Sequence, residues 1–334
     1  MTTTTSDAPA SNPPKTSTTI AMEILAEVMQ FRRMADAHAC TAKPCLSCLS
    51  PHLAKVVSAI DQGQPITFVL PAFPGKSPNL AKVLGPLPDM AEQRSLEFLG
   101  GLCERVRKHY APGAKIILCS DGRVFSDAVG MNEENVTAYQ QVLSHMIEDL
   151  SLNSSISTFT LDDIYAGQDF DQMRRELLAQ HGKPLEVLQA MVRQGGKQPC
   201  DRESEDAHRL YCGITRFLVE DSMFPGQTKT RSAIQKECRG RAYQVIQRSN
   251  AWSESIANRF PDCVRLSIHP QACGSKKLGI RLMEADSWMT PWHGVAVDIG
   301  GAFRPFEARA CRCTWRRTRV PRRASEPLRA FSKS

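Results

Sequence analysis

Eight consecutive residues, Ser120-Asp121-Gly122-Arg123-Val124-Phe125-Ser126-Asp127, bring together two carboxylates, a guanidinium and two hydroxyls. Such groups are costly to bury unpaired. The stretch therefore reads in two ways. In one, Asp121 and Asp127 cap a polar turn and Gly122 takes positive φ. In the other, Asp121, Arg123, Ser126 and Asp127 belong to a site that carries protons and holds a polar ligand.

A second polar set lies in Pro71-Ala72-Phe73-Pro74-Gly75-Lys76-Ser77-Pro78-Asn79. Prolines pre-set φ and lower the entropy cost of holding a loop still. In a stiff loop, Lys76, Ser77 and Asn79 suit a phosphate or carboxylate, with the lysine as a point charge. The glycine spacing of the nucleotide-triphosphate phosphate loop is absent, and a rigid structural loop explains the same residues.

A third set comes late in the chain. In Val264-Arg265-Leu266-Ser267-Ile268-His269, alternation places Arg265, Ser267 and His269 on one strand face. Lys276 and Lys277 follow on an expected hairpin, and Thr290-Pro291-Trp292-His293-Gly294 leads into a last strand. His269 and His293, each at a strand end beside a proline or tryptophan, are candidates for acid–base work near neutral pH.

The elements that must position these residues follow from periodicity. Apolar runs at 65–70 and 115–119 read as buried parallel strands, with a further strand at 157–161. Helices are expected at 20–35, from Pro88 to about 112, at 132–150, and across the middle at 170–181, 184–193, 201–221 and 232–249. The order strand, polar loop, helix, strand, polar loop, helix implies an α/β fold with a parallel or mixed sheet. Both polar loops then open at the carboxyl edge of the sheet, where ligands bind in such folds. At the end of the 201–221 helix, Glu220 and Asp221 read more readily as a solvated face than as site carboxylates.

Composition excludes several classes. The chain has 334 residues and a formal net charge of +7. From Arg309 onward there are nine Lys/Arg against one acid, so this segment alone more than accounts for the excess. The body is close to neutral, and nucleic acid is not an expected partner. No run reaches the roughly 18 apolar residues of a membrane span. The Thr/Ser/Pro-rich residues 1–19 read as a disordered leader without an apolar signal core, and the twelve cysteines as reduced thiols of a cytoplasmic protein. Cys40, Cys45 and Cys48 have partial zinc spacing, but no second Cys-x-x-Cys follows at the usual distance. Buried or incidental thiols fit better, and no metal is assigned.

The polar loops, Lys82-Val83-Leu84-Gly85-x-x-Pro88-Asp89, the Arg265–His269 strand and Thr290-Pro291-Trp292-His293-Gly294 occur in an order that resembles the pyoverdine/dityrosine biosynthesis family, in its isocyanide (isonitrile) synthase branch. The resemblance covers roughly residues 20–300. It implies a Rossmann-like domain over 20–304 with a helical insertion in mid-chain. It also implies conversion of an amino acid's α-amine to an isocyanide, the new carbon coming from C2 of ribulose 5-phosphate. No other cofactor is implied. Under that chemistry Lys76, Ser77, Asn79 and Arg123 are expected to cradle the pentose phosphate, with Ser126, Lys277 and Thr290 as further substrate contacts. Arg265 is expected to pair with the amino-acid carboxylate, and His269, His293, Asp121 and Asp127 to carry protons. A downstream oxygenase or other pathway enzyme would take the product.

The family pattern is lost after Arg304. Residues 305–334 read as a basic, unstructured tail, resembling an alternative reading frame or a mis-spliced end. Two other functions remain open from the sequence. One is an enzyme that forms N-formyl- or N-acyl-tyrosine in dityrosine-type biosynthesis. The other is a non-catalytic protein whose basic tail binds nucleic acid or acidic partners.

Overall fold

A computed structural model describes residues 15–36, 38, 40, 45–197, 199–283 and 289–311 of the chain. Ala21, Ile24, Leu25 and Val28 form the buried stripe of α1 (Ser17–Met29), whose first turn is capped by the Thr16 hydroxyl. The expected leader boundary at residue 19 thus falls inside a helix; residues 1–14 lie outside the described residues. α1 packs on α2 (Leu46–Asp61), a helix the periodicity did not lead us to expect, which buries Cys48, Leu49, His52 and Val56 along one face.

The chain then enters β1 (Ile66–Leu70), crosses through α3 (Met90–Arg107) to β2 (Ala114–Cys119), and continues through α4 (Gly122–Val129) and α5 (Glu133–Asp149) to β3 (Ile156–Phe159). A block of four helices follows: α6 (Phe170–His181), α7 (Leu185–Gly195), α8 (Arg202–Ser222) and α9 (Arg231–Arg259). It leads back to β4 (Val264–Ser267) and the short β5 (Leu278–Gly279). These five strands form one parallel sheet in the order β3-β2-β1-β4-β5. β6 (Val295–Ile299) and β7 (Ala302–Phe306) form a separate antiparallel pair.

Both faces of the sheet are covered, which explains why its strands read as continuous apolar runs rather than alternating ones. Ile66, Phe68 and Leu70 pack towards α1, α2 and α3, whereas Val69 packs with Val124 and Trp252 on the other side. From β1 the chain winds outward to β2 and β3, then returns to place β4 on the opposite side of β1. The strand order therefore reverses between β1 and β4. In open α/β sheets this reversal opens a crevice at the carboxyl ends, where ligands bind.

Three expectations are corrected. Arg123, Ser126 and Asp127 lie on α4, not in a loop, and Gly122 does not take positive φ. Lys276 and Lys277 are not on a hairpin, because β5 pairs parallel to β4, with Leu266 opposite Leu278. The expected tail boundary after residue 304 cuts β7, where Pro305 and Phe306 pair with Ala296 and Val295. Beyond β7, Ala308 is buried and its amide donates to the Lys82 carbonyl. Residues 312–334 lie outside the described residues. No described helix is long and apolar enough to cross a membrane.

Candidate active site

The loop after β1 is held in a specific shape. Phe73 adopts φ +59, a left-handed conformation that a bulky residue keeps only when its surroundings enforce it. The Ser120 hydroxyl donates to the Phe73 carbonyl at 2.7 Å, Gln140 Nε2 donates to Ser120 Oγ at 2.8 Å, and Trp292 packs on the Phe73 ring at 5.3 Å. The β2–α4 junction closes on the same loop. A side chain at Gly122 would run into the Pro74 carbonyl oxygen, so only glycine fits.

This loop delivers Lys76 into the protein, not onto its surface. Its Nζ lies 2.7 Å from Glu92 and 3.0 Å from Asp89, and donates to the Pro291 carbonyl at 3.0 Å. Local sequence explains the carboxylates. Asp89 caps α3 by accepting from the Ala91 amide, and Glu92 accepts from the Asp89 amide, a reciprocal capping box. Glu92 then serves twice, as cap partner and as counter-ion. Burial pushes its carboxyl up to about 7 although Lys76 opposes the shift. Tyr139 donates its hydroxyl to the same carboxylate at 3.1 Å.

Ser77 and Asn79 are also engaged internally. Ser77 donates to Asp221 at 3.1 Å, and Asn79 donates to the Glu220 and Met223 carbonyls at the end of α8. The donors of Lys76, Ser77 and Asn79, expected to cradle the phosphate together with Arg123, thus already bind protein. Asp221, read from sequence as part of a solvated face, is buried. It is held by Lys82 at 2.5 Å and lies 3.9 Å from His293 Nδ1.

His293 stands edge-on to Phe217 at 5.0 Å. Burial takes its imidazole down to about 4; Asp221 opposes this, while Lys82, Lys76 and His269 add to it. His269, at the end of β4, is also lowered, first by burial and then by Arg33 and Lys277. The two rings thus lie within electrostatic reach of each other. His293 Nδ1 and Thr290 Oγ1 are buried without a hydrogen-bond partner among the described residues.

Asp121 stands at the carboxyl end of β2. Burial raises its carboxyl to about 7, and its Oδ1 has no partner among the described residues. Arg123, Ser126 and Asp127 turn away, towards α6 and α9. Arg123 pairs with Asp162 and lies over the Phe170 ring at 4.4 Å. Arg174 donates to Ser126, and Arg248 grips Asp127 with contacts of 2.5 and 3.0 Å. Burial raises the Asp127 carboxyl, but the Arg248 fork and the Arg174 charge outweigh it and hold it below its ordinary value. Asp127, expected to carry protons, is thus held in ion pairs with Arg248 and Arg174.

On the β4 side, Arg265 Nη2 donates to Ser253 Oγ at 2.8 Å and Lys277 Nζ to the same oxygen at 3.1 Å. Neither cation has a carboxylate within ion-pair distance among the described residues. Burial lowers the proton affinity of both, and they repel one another. Two half-buried cations thus share one neutral partner.

The family model described as pyoverdine/dityrosine biosynthesis protein matches residues 56–312. The chain belongs to this family. An L-tryptophan isonitrile synthase of Fischerella ambigua is 46% identical over 85% of this chain and 84% of its own length. An L-tyrosine isonitrile synthase of Pseudomonas aeruginosa is 42% identical over 85% and 86%. The crystal structure of the PvcA protein from Pseudomonas aeruginosa superposes with a TM-score of 0.80 at 41% identity, covering 87% of this chain and 93% of that one. The chain is an enzyme of the isocyanide synthase branch.

Within this enzyme the expected residues other than Asp121, which stands alone at the end of β2, divide into three groups. His293 and Thr290 join Lys76, Ser77 and Asn79 in one network, and His269, Arg265 and Lys277 gather at the β4 end. Arg123, Ser126 and Asp127 form a separate network against the helical block. Lys82, Glu92, Tyr139, Asp221 and Ser253 belong to the first two groups and were missed as site residues. In the sequence, Lys82 opens the Lys82–Asp89 motif, Glu92 completes the Asp89-x-x-Glu92 capping signature and Asp221 ends the 201–221 helix, whereas nothing local marks Tyr139 or Ser253.

Proposed function

We propose that the enzyme converts the α-amine of tryptophan or tyrosine to an isocyanide, with C2 of ribulose 5-phosphate as the new carbon. The observation that carries this reading is the convergence of two imidazoles, His269 after β4 and His293 beside the β1 loop, within electrostatic reach of each other and both shifted towards the unprotonated form. The relatives named as tryptophan and tyrosine isonitrile synthases support the substrate class. Joining an amine to a ketone as an imine removes two protons from nitrogen and releases the ketone oxygen as water. It therefore needs bases that are free at neutral pH and an acid that returns protons to the departing oxygen. His269 and His293 take the first role, and Asp121, with its carboxyl raised to about 7, takes the second.

Arg265 and Lys277 hold the pentose phosphate, since two adjacent cations match a phosphate dianion better than a single carboxylate. This moves Arg265 from the amino-acid carboxylate to the sugar. Lys76, Ser77 and Asn79 position the β1 loop and the Trp292-His293 turn. The test is mass spectrometry of the full chain incubated with each of the two amino acids and ribulose 5-phosphate labelled with carbon-13 at C2. The expected result is a labelled isocyanide that disappears with His293→Asn. A product one water heavier would instead favour the formamide-forming reading, and absence of any labelled product would overturn the proposal.

A further inference from the structure

Four cysteine sulfurs converge where the chain between α1 and α2 meets the connection between β4 and β5. Cys40 precedes α2, Cys45 is its N-cap, Cys48 lies in its first turn, and Cys273 comes from the connection between β4 and β5. The sulfur separations are 3.5 Å for Cys40–Cys48, 3.5 Å for Cys48–Cys273 and 3.8 Å for Cys45–Cys273. All four atoms lie within 4.8 Å of one another. A tetrahedron with metal–sulfur bonds of about 2.3 Å has sulfur–sulfur edges of about 3.8 Å. Disulfides require sulfurs at about 2.05 Å, and all four thiols are free.

We infer that Cys40, Cys45, Cys48 and Cys273 form a closed, structural site for one zinc-class divalent cation. The donor set is four soft thiolates with no position left for water or substrate, which marks a structural centre, not a catalytic one. Binding releases the four thiol protons and leaves a centre with two net negative charges. The surroundings suit that charge. Arg32 and Cys48 line the same small cavity, and Arg32 Nη1 is buried without a hydrogen-bond partner among the described residues. Packing alone does not require four sulfurs from two distant stretches of chain to meet in mutual contact.

The centre would clamp the segment before α2 to the β4–β5 connection. Backbone bonds already run alongside, from the Ala35 amide to the Gln271 carbonyl and from the Gln271 amide to the Arg33 carbonyl. That connection runs from Ile268 to Lys277 and includes His269, so the clamp fixes the span that presents both His269 and Lys277.

The test is the metal content of the full chain purified under reducing conditions, read by elemental mass spectrometry and by release to a colorimetric chelator. About one zinc per chain is expected, falling to near none in Cys45→Ser and Cys273→Ser and unchanged in Cys212→Ser, an exposed cysteine outside the cluster. Cobalt exchanged into the wild-type chain should give the sulfur-to-metal charge-transfer and intense visible bands of tetrahedral thiolate coordination. This readout does not depend on whether the variants fold. A reduced chain that holds no zinc and gives no such cobalt spectrum would overturn the inference. So would zinc that survives both cluster substitutions, or disulfides among these four residues in the freshly purified chain.

Discussion

Lys76 Nζ lies 2.7 Å from Glu92 Oε2, and neither side chain reaches solvent. A buried pair of this kind contributes little over an apolar substitute, but breaking it leaves an uncompensated charge. Lys76→Ala is therefore expected to destabilise the chain by about 3–5 kcal/mol, seen as a lower Tm. Glu92 adds a pH signature. Its folded-state carboxyl stands at about 7 against an ordinary 4.5, so the folded protein takes up its proton first. Its contribution is fully present below 4.5 and is lost as pH rises through 7. The Tm of Glu92→Gln relative to wild type should rise across that window and level off above it; a flat difference would contradict the assignment.

His293 has the opposite sign. Burial holds its folded-state value at about 4, below the ordinary 6.5. Its contribution to stability is present above 6.5 and is lost as pH falls through 4. His293→Asn should reduce kcat/KM by about 10²–10⁴ and remove part of the acid sensitivity of Tm between 6.5 and 4.

Asp121 should set the alkaline side of the same rate profile. With its carboxyl at about 7, activity that needs it protonated declines as pH rises through that value. Asp121→Asn should lower kcat and abolish this alkaline limb. Persistence of the limb in the variant would assign it to another group.

The parts of this molecule legible in sequence are those fixed by local pattern. Val69 and its neighbours in β1 read as a buried parallel strand because both faces of the run are covered. Helix α6 is bounded where its pattern predicts, at Phe170–His181. What escaped depended on distant partners. Asp121-Gly122 reads locally as a turn, yet Gly122 is needed for space against Pro74, and α4 starts there. Lys76 looks like a free cation until α3 brings Glu92 beneath it. Asp221 has the spacing of a surface acid and becomes buried only when the β1 loop and Lys82 fold over it. Cys273 stands 225 residues from Cys48, far outside any zinc spacing that a linear reading tests.

Gly122→Ala tests the closeness of the two loops. The added methyl would enter the space of the Pro74 carbonyl oxygen and crowd Val136, and neither the backbone atom nor the packed helix can yield cheaply. A loss of about 1–3 kcal/mol or more is expected, together with reduced activity as the Phe73–Lys76 turn is displaced. Gly85→Ala, which meets nothing within 4 Å, is the control and should leave Tm nearly unchanged.

Arg265 and Lys277 separate the two substrates. Both donate to Ser253 Oγ, and neither has an ion-pair partner among the described residues, so truncating either leaves no buried carboxylate stranded. Stability should change by less than about 1 kcal/mol, the range for substitutions that strand no charge. Loss of one charge-assisted contact to a phosphate is worth about 1.5–3 kcal/mol. Arg265→Ala and Lys277→Ala should therefore each raise KM for ribulose 5-phosphate by roughly 10- to 150-fold. KM for the amino acid should stay within about twofold, the limit for a contact that does not touch it. Steady-state titration of each substrate at saturating levels of the other measures both. If the amino-acid KM rises instead, the pair holds the α-carboxylate and the phosphate is bound elsewhere in the crevice.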